Sequence, residues 1–335
     1  MGRIGYKFVG WYSGEDFLTS DLHYTFTVPF YDCVFRAEFA VKEEMENFIF
    51  TADFNTCQIT GVKDVSVLQI SVPDYVTGIE CGAFIDCQSI IEIKLPLTQH
   101  LGYYFGTTNY FENNLYVPYS LQTVIINDID QQSIPYHAFS GCEYLVDIVI
   151  PQNITSINGE AFLNCSSLMN MVIPDSVTYI GNSAFSGCSS LTDIVVPNSV
   201  TSIGGGVFSG CSSITKIVIP DGITGIGNSI FADCSSLTDI VIPDSVRNIE
   251  DNAFSGCNSL ANIVIPDSVR NIGGYAFSGC NSLANIVIPD NVRNIGESAF
   301  YNCSNLTNIV IPNSVRIIGN SAFSGCSSFT SIVIP

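Results

Sequence analysis

Apolar and polar positions repeat along most of the chain with a fixed period of 23 residues. Proline closes each period, and eight uninterrupted repeats fill residues 152–335. Counted from the residue after each proline, apolar residues recur at positions 3, 6, 10, 11, 14, 17, 20 and 22. In the repeat 267–289 these are Val269, Ile272, Ala276, Phe277, Cys280, Leu283, Ile286 and Ile288. A single repeat cannot bury this apolar side alone, so the pattern predicts stacked coils that share one core.

Each repeat contains two extended segments. Positions 19–22 are rich in β-branched residues and end at proline, which indicates a short strand. Positions 3–6 are predicted to form a second short ladder. Glycine and asparagine at positions 7–9 indicate a turn, and the AFxxC segment is long enough for one helical or 3-10 turn only. Paired strands of successive coils are expected to lie about 4.8 Å apart.

The same frame continues upstream of the eight repeats. Residues 74–96 and 128–151 fit it, and residues 97–127 form a longer variant coil with an aromatic insertion. We therefore expect about eleven coils over residues 74–335, spanning roughly 50 Å. Residues 41–73 contain the charged segment VKEEM followed by strand-like alternation, and we interpret them as a linker and an N-terminal β cap.

The pattern LxxIxIPxxVxxIgxxAFxxCxxL resembles the BspA-like leucine-rich repeat of bacterial surface proteins, type 5 of the leucine-rich repeats. The resemblance covers residues 74–335. It implies a β-rich, right-handed leucine-rich-repeat solenoid with a small β head, and a non-enzymatic surface protein that acts in adhesion. Ordinary leucine-rich repeats carry an asparagine after the strand leucines, whereas here proline and Asp or Asn follow the strand directly. The asparagine ladder of those repeats is therefore not carried over.

The first 40 residues follow a different pattern. Residues 5–39 resemble the tail of a Listeria–Bacteroides (internalin B-type) repeat, in the segments 8–12, 24–29 and 37–39. The front strands of such a β-grasp-like unit are missing, and the last repeat carries no polar cap. We expect the chain to be a piece of a longer protein, secreted or held at the cell surface, whose signal peptide and anchor lie outside this sequence.

Composition narrows the classes of partner. The 335 residues include 11 Lys and Arg against 31 Asp and Glu, which gives a net charge of −20. This charge disfavours nucleic acid and anionic membrane surfaces as partners. No stretch approaches the roughly 18 apolar residues of a membrane-spanning helix, so no membrane insertion is expected. The expected partners are extracellular or host proteins, matrix proteins among them, or glycans.

Nine of the 13 cysteines stand at position 14 of successive coils: Cys142, Cys165, Cys188, Cys211, Cys234, Cys257, Cys280, Cys303 and Cys326. Metal sites favour closely spaced ligands such as CxxC, which the chain lacks. Adjacent coils bring these cysteines within disulfide distance, but an apolar position favours reduced, buried thiols. The phenylalanines at position 11 are likewise expected in the core. Three histidines in separate segments form no catalytic constellation, so we expect neither an enzyme, a metal nor a cofactor.

Three surface features are candidate binding sites. Position 21 alternates with inward positions and is expected to present a row of valines: Val149, Val172, Val195, Val218, Val241, Val264, Val287 and Val310. Position 4 is arginine in the last four repeats (Arg247, Arg270, Arg293 and Arg316), three positions after Asp244, Asp267 and Asp290 in three of them. The insertion contributes Tyr103, Tyr104, Phe105, Tyr110 and Phe111. Each feature has a purely structural alternative, which is β-propensity for the valines, recent duplication of coils for the arginines and a harmless bulge for the insertion.

The sequence therefore predicts a non-enzymatic, cell-surface scaffold for protein binding or adhesion. The alternative is a passive stalk or spacer that presents another domain. Saturable binding of extracellular-matrix proteins by the folded array would separate the two.

Overall fold

A computed structural model describes residues 5–13, 16–20, 35–52, 55–128 and 131–334 of the chain. The head forms a three-stranded antiparallel sheet of β1 (Tyr6–Ser13), β2 (Asp16–Thr19) and β3 (Phe35–Val41), in the order β2-β1-β3. Residues 24–29, one of the segments that carries the resemblance to a B-type repeat, lie outside the described residues. That resemblance therefore stays a prediction.

An antiparallel strand covers the start of the parallel stack. After a 3-10 turn at Glu43–Met45, β4 (Phe48–Ala52) pairs antiparallel with β5 (Cys57–Val62). On its other side β5 pairs in parallel with β7 (Gly78–Ile79). Because β4 occupies the hydrogen-bonding edge of β5, the first strand of the ladder is not left open. The parallel stack thus extends upstream of residue 74, and the solenoid has about 12 turns.

Two ladders of short parallel strands follow the solenoid, and each is divided into several separate sheets. The first ladder holds the strands at positions 19–22: β6 (Gln69–Ser71), β8 (Glu92–Leu95), β9 (Thr123–Ile126), β11 (Asp147–Val149), β13 (Asn170–Val172), β15 (Asp193–Val195), β17 (Lys216–Val218), β19 (Asp239–Val241), β23 (Asn308–Val310) and β25 (Ser331–Val333). Between β19 and β23, single bridges join Asn262 to Asn285 and Asn285 to Asn308. The register advances by one coil throughout, as the 23-residue period predicts.

The second ladder confirms the prediction of a short strand at positions 3–6. Besides β5 and β7 it contains β10 (Ser133–Ile134), β12 (Ser156–Ile157), β14 (Tyr179–Ile180), β16 (Ser202–Ile203), β18 (Gly225–Ile226), β20 (Asn248–Ile249), β21 (Asn271–Ile272), β22 (Asn294–Ile295) and β24 (Ile317–Ile318). A short asparagine ladder lies within it, at a place the sequence did not indicate. The amide of Asn271 donates to Asn248 Oδ1 at 2.8 Å, and the amide of Asn294 donates to Asn271 Oδ1 at 2.6 Å.

The core is a stack of identical side chains. The phenylalanine rings at position 11 lie 5.1–5.8 Å apart from coil to coil with interplanar angles of 2–17°. From Phe139 to Phe300 they are fully buried, which confirms their predicted place in the core. Parallel rings at this separation make apolar contact on both faces, so each coil depends on its two neighbours.

The AFxxC segments form tight turns that also join the coils. In the coil that contains Phe254, the amide of Cys257 donates to Phe254 O at 3.2 Å, a three-residue turn as predicted. The Phe254 amide donates to Ala276 O of the next coil at 2.8 Å. Left-handed residues stand directly before the segment at position 9 and inside it at position 13, for example Asn252 (φ 57°) and Gly256 (φ 75°). Because the backbone changes direction at these two positions, the amides of Asn252, Phe254 and Gly256 all donate to carbonyls of the following coil.

The position-14 cysteines are buried free thiols, as predicted. Each thiol from Cys165 onward donates to the carbonyl of the phenylalanine one coil earlier, at 3.1–3.2 Å. Burial raises the pKa of Cys234 and Cys280 to about 12, and raises the pKa of Cys165 well above its ordinary value. The thiols from Cys142 to Cys280 are therefore un-ionised and chemically quiet at neutral pH.

Candidate functional site

The valines at position 21 form an apolar row on the outside of the first ladder. We call Val149, Val172, Val195, Val218, Val241, Val264, Val287 and Val310 the valine strip, and their exposed fractions are 46–80%. Their neighbours at positions 20 and 22 are buried in the core. Successive side chains of a strand point to opposite faces, so burial of these neighbours turns every strip valine to solvent. An exposed apolar row of this length is typical of interaction surfaces.

Two hollows interrupt the valine strip where neighbouring strands separate. One, of about 270 Å³, lies between Val149 and Val172 with Asp147 and Asn170 in its lining. There, β11 and β13 pair through a single residue position. The other, of about 280 Å³, lies between Val287 and Val310. Each hollow joins apolar strand surface to carboxylate and amide groups, which suits an inserted side chain of a protein partner.

The second candidate surface is the arginine stripe, Arg247, Arg270, Arg293 and Arg316. All four residues are exposed, and the backbone amide of each of the last three donates to the preceding arginine carbonyl at 2.8 Å. Within the described residues no carboxylate lies within 4.0 Å of any of the four guanidinium groups. The aspartates three positions earlier therefore form no ion pair with the arginines.

The variant coil brings only part of the aromatic insertion to the surface. It contains α1 (Leu101–Tyr104), a 3-10 turn at Tyr110–Glu112 and α2 (Asn113–Tyr116). The prediction that Tyr104 belongs to a binding surface is wrong, because it is only 1% exposed and packs against Phe84. Phe105 is equally buried against Phe84, and it contributes only to the inner wall of the cleft beside α2. The Tyr104 hydroxyl donates to Pro96 O at 3.0 Å, so even its polar end is used inside the coil.

The remaining insertion aromatics lie at or near the surface. Tyr103 is half-buried against the core, whereas Tyr110 and Phe111 are 37% and 66% exposed. The Tyr110 ring stacks on His137 of the next coil with centroids 4.1 Å apart and a 12° angle between the rings. Burial lowers the pKa of His137, against the opposing effect of Glu160 3.2 Å away. Stacking and burial favour a neutral imidazole at this place.

Asn113, which sequence reasoning missed, holds the variant coil together. Its Oδ1 atom lies 2.8 Å from His100 Nδ1 and accepts the Gly102 amide at 3.0 Å. Its amide nitrogen donates to His137 O at 3.2 Å. A Cβ atom at Gly102 would lie 2.5 Å from Asn113 Oδ1, so the close approach requires glycine. In the sequence Asn113 stands in a polar run (FENN) with no pattern that marks it as buried.

Beside α2 the variant coil forms an open cleft of about 330 Å³. Exposed side chains that sequence reasoning did not select, Tyr116, Tyr119 and Tyr144, line it together with Leu115 and Gln88. Tyr119 and Tyr144 stand at 70° to each other with centroids 6.3 Å apart. The insertion thus builds a tyrosine-lined cleft of the size of a small-ligand site, although the residues that form it differ from most of those predicted.

Two properties of the described ranges bear on other functions. No group of three or more His, Cys, Asp or Glu residues there is placed to hold a metal ion. Helices in the same ranges are too short or too polar to cross a membrane.

Comparison with known families decides the affiliation. The model of the BspA type leucine-rich repeat region matches six copies in this chain, over residues 62–105, 109–238 and 225–335. The chain belongs to the BspA-type leucine-rich-repeat family. Proteins of this family and solenoid fold are typically non-enzymatic scaffolds, which generally bind proteins. A search of curated protein sequences gives no match.

Several solved structures of leucine-rich repeat proteins are similar to this chain. A leucine-rich repeat protein from Eubacterium ventriosum is 18% identical, with a TM-score of 0.52 over 84% of this chain and 92% of that one. A leucine-rich repeat protein from Bacteroides ovatus is 26% identical, with a TM-score of 0.46 over 86% and 93% of the two chains. A leucine-rich cell surface protein from Faecalibacterium prausnitzii is 22% identical, with a TM-score of 0.45 over 86% and 93%.

Proposed function

We propose that this protein is a cell-surface adhesion scaffold that binds an extracellular or host protein along the valine strip. The observation that carries the proposal is the exposure of all eight strip valines on one face of a rigid stack. β-propensity alone explains valine in a strand, but Thr or Ile would satisfy it equally well. The two hollows between strip valines add places where a partner side chain could dock.

The test compares two variants with unchanged folds. One replaces Val172, Val195, Val264 and Val287 by threonine, which keeps the β-branched shape and removes a methyl contact from each. The matched control replaces Thr155, Thr178, Thr201 and Thr224 on the second ladder by serine. Each protein is immobilised and titrated with extracellular-matrix proteins, and circular dichroism checks that the folds agree.

The proposal predicts saturable binding that falls at least tenfold in the valine variant and is unchanged in the control. Equal binding by all three proteins would mean that the interface lies outside the valine strip. Absence of saturable binding by the folded parent protein would favour the second candidate function, a passive stalk that presents another domain. The observation behind that alternative is the mutual dependence of the coils, which makes the array a rigid spacer.

A further inference from the structure

The arginine stripe is the exception in an acidic protein. Residues 152–335 contain only five basic side chains, and four of them form the stripe. The fifth, Lys216, is paired with Asp239 at 3.2 Å. Four of the five basic residues of the repeats therefore lie in the arginine stripe. Within the described residues, none of these four has a carboxylate partner. The four arginines stand on strands about 4.8 Å apart and carry like charges that repel one another in the free protein, so an anionic ligand would relieve a repulsion that already exists.

Folding does not require arginine at position 4. In the four preceding coils the same position is threonine: Thr155, Thr178, Thr201 and Thr224. The backbone bond is the same in both halves, because Thr178 N donates to Thr155 O and Arg270 N donates to Arg247 O, each at 2.8 Å. The guanidinium groups thus add charge to a surface whose structure is complete without them.

The width and length of the arginine stripe restrict the class of ligand that it can bind. The stripe is one arginine wide and about 14 Å long, from three steps between paired strands. Exposed Asp244, Asp267 and Asp290 precede the arginines in their coils, and Glu250 and Asp251 follow Arg247. A broad polyanion such as a nucleic-acid duplex meets these carboxylates, whereas a narrow chain of anionic groups can follow the stripe alone. Each guanidinium offers parallel N–H donors to one sulfate or carboxylate.

We propose that the arginine stripe binds a linear sulfated polysaccharide, one anionic group per arginine. This site lies on the second ladder and does not depend on the valine strip. A linear polyanion of high charge density gains most from the release of its counterions, so the affinity falls steeply with salt. For four contacts we expect a loss of about 50- to 150-fold between 50 and 200 mM NaCl.

Heparin serves as the probe, titrated into the full chain at several salt concentrations. The main variant changes all four arginines to threonine, the residue that the chain itself uses in the preceding coils. A single pair of variants, Arg270→Thr and Lys216→Thr, removes one positive charge each from the array. An Arg→Lys version of the stripe keeps the charge and removes the parallel donors. Circular dichroism and thermal melting confirm that each variant is folded.

The proposal predicts saturable binding that the fourfold threonine variant loses and that lysine restores in part. Arg270→Thr lowers by about one the magnitude of the slope of log affinity against log salt concentration, and Lys216→Thr leaves this slope unchanged. Binding that survives the fourfold change, or absence of binding at 50 mM salt, would overturn it. Equal affinity for a polyglutamate peptide or a single-stranded oligonucleotide of the same charge would refute the assignment to a sulfated polysaccharide.

Discussion

Mild alkali should unfold the solenoid through its thiol ladder. The cysteines from Cys142 to Cys280 are buried, and burial raises the pKa of each thiol above its ordinary range. In the unfolded chain the same thiols ionise near pH 8.5. A folded pKa above the unfolded one means that the stabilisation is complete below about pH 8.5 and is lost as the pH rises. The perturbation is a shift from pH 8.5 to 9.5 with a reductant present.

The expected magnitude follows from proton linkage. A thiol that ionises near pH 8.5 when unfolded and stays protonated in the folded core loses about 1 kcal/mol of stabilisation between pH 8.5 and 9.5. Seven such thiols, one in each coil from Cys142 to Cys280, give a total of about 7 kcal/mol. Small proteins have about 5–15 kcal/mol of net stability, so this loss is comparable to the whole.

Urea titrations followed by circular dichroism at half-unit steps of pH measure directly the slope of the free energy of unfolding against pH. A variant with serine in place of Cys188, Cys211 and Cys257 should be less stable at pH 7 but should lose about 3 kcal/mol less over the same pH interval. Serine does not ionise here and keeps a donor for the phenylalanine carbonyl. Cys81→Ser, which changes an exposed thiol, is the matched control and should follow the parent protein.

A slope close to zero in the parent protein would refute this reasoning, because it would mean that the ladder thiols ionise equally well in the folded state. A steep slope that the triple serine variant keeps would assign the alkaline loss to other groups. Either result would also remove the argument that the ladder is chemically quiet.

Three further predictions concern the stack itself. In a Cys33→Ser background, Ellman's reagent should modify one thiol quickly in the native protein, Cys81, and all twelve remaining thiols (13 minus one) after denaturation. Phe231→Ala should lower the free energy of unfolding by about 3–5 kcal/mol, measured in urea, because the ring is fully buried between two stacked neighbours. Ser321→Gly should raise the free energy of unfolding by about 0.5–1 kcal/mol, since Ser321 has φ 56° where Gly206 stands in another coil; melting temperatures report the change.

The controls for these three use the chain's own repeats. Fewer than twelve thiols after denaturation without reductant would reveal disulfides, and several fast native thiols would show that the ladder is accessible. Phe323→Ala, at a half-buried ring, should have a smaller effect than Phe231→Ala; equal losses would contradict the dependence on two neighbours. Ser324→Gly, where φ is not positive, should destabilise, and a gain there would contradict the backbone explanation for Ser321.

The repeated part of the fold could be predicted from the sequence because every coil occupies the same environment. A residue type that recurs every 23 positions, such as phenylalanine at position 11, reports burial many times over. The outward orientation of the valine strip followed from the same periodicity. Whether the strip and the arginine stripe bind a partner does not follow from periodicity, because a neutral duplication produces the same pattern.

The variant coil could not be predicted in the same way, since it occurs once. Tyr104 and Phe105 carry the same aromatic signal as Phe111, and only packing against Phe84 separates the buried rings from the exposed one. Asn113 gave no signal at all, because its role depends on a glycine eleven positions away and on a histidine carbonyl of the next coil. Non-periodic contacts of this kind require the three-dimensional arrangement.

The one-coil register has a consequence for how such a protein changes over generations. Because each strand contacts only the same positions one coil before and after, a coil can be copied or deleted by recombination without altering the contacts of the others. Every added copy of 267–289 brings one valine and one arginine into line with the existing rows. Both surfaces therefore lengthen or shorten by one residue for each coil that is gained or lost. The length of the contact with a partner can change in this way without any change to the residues of the remaining coils.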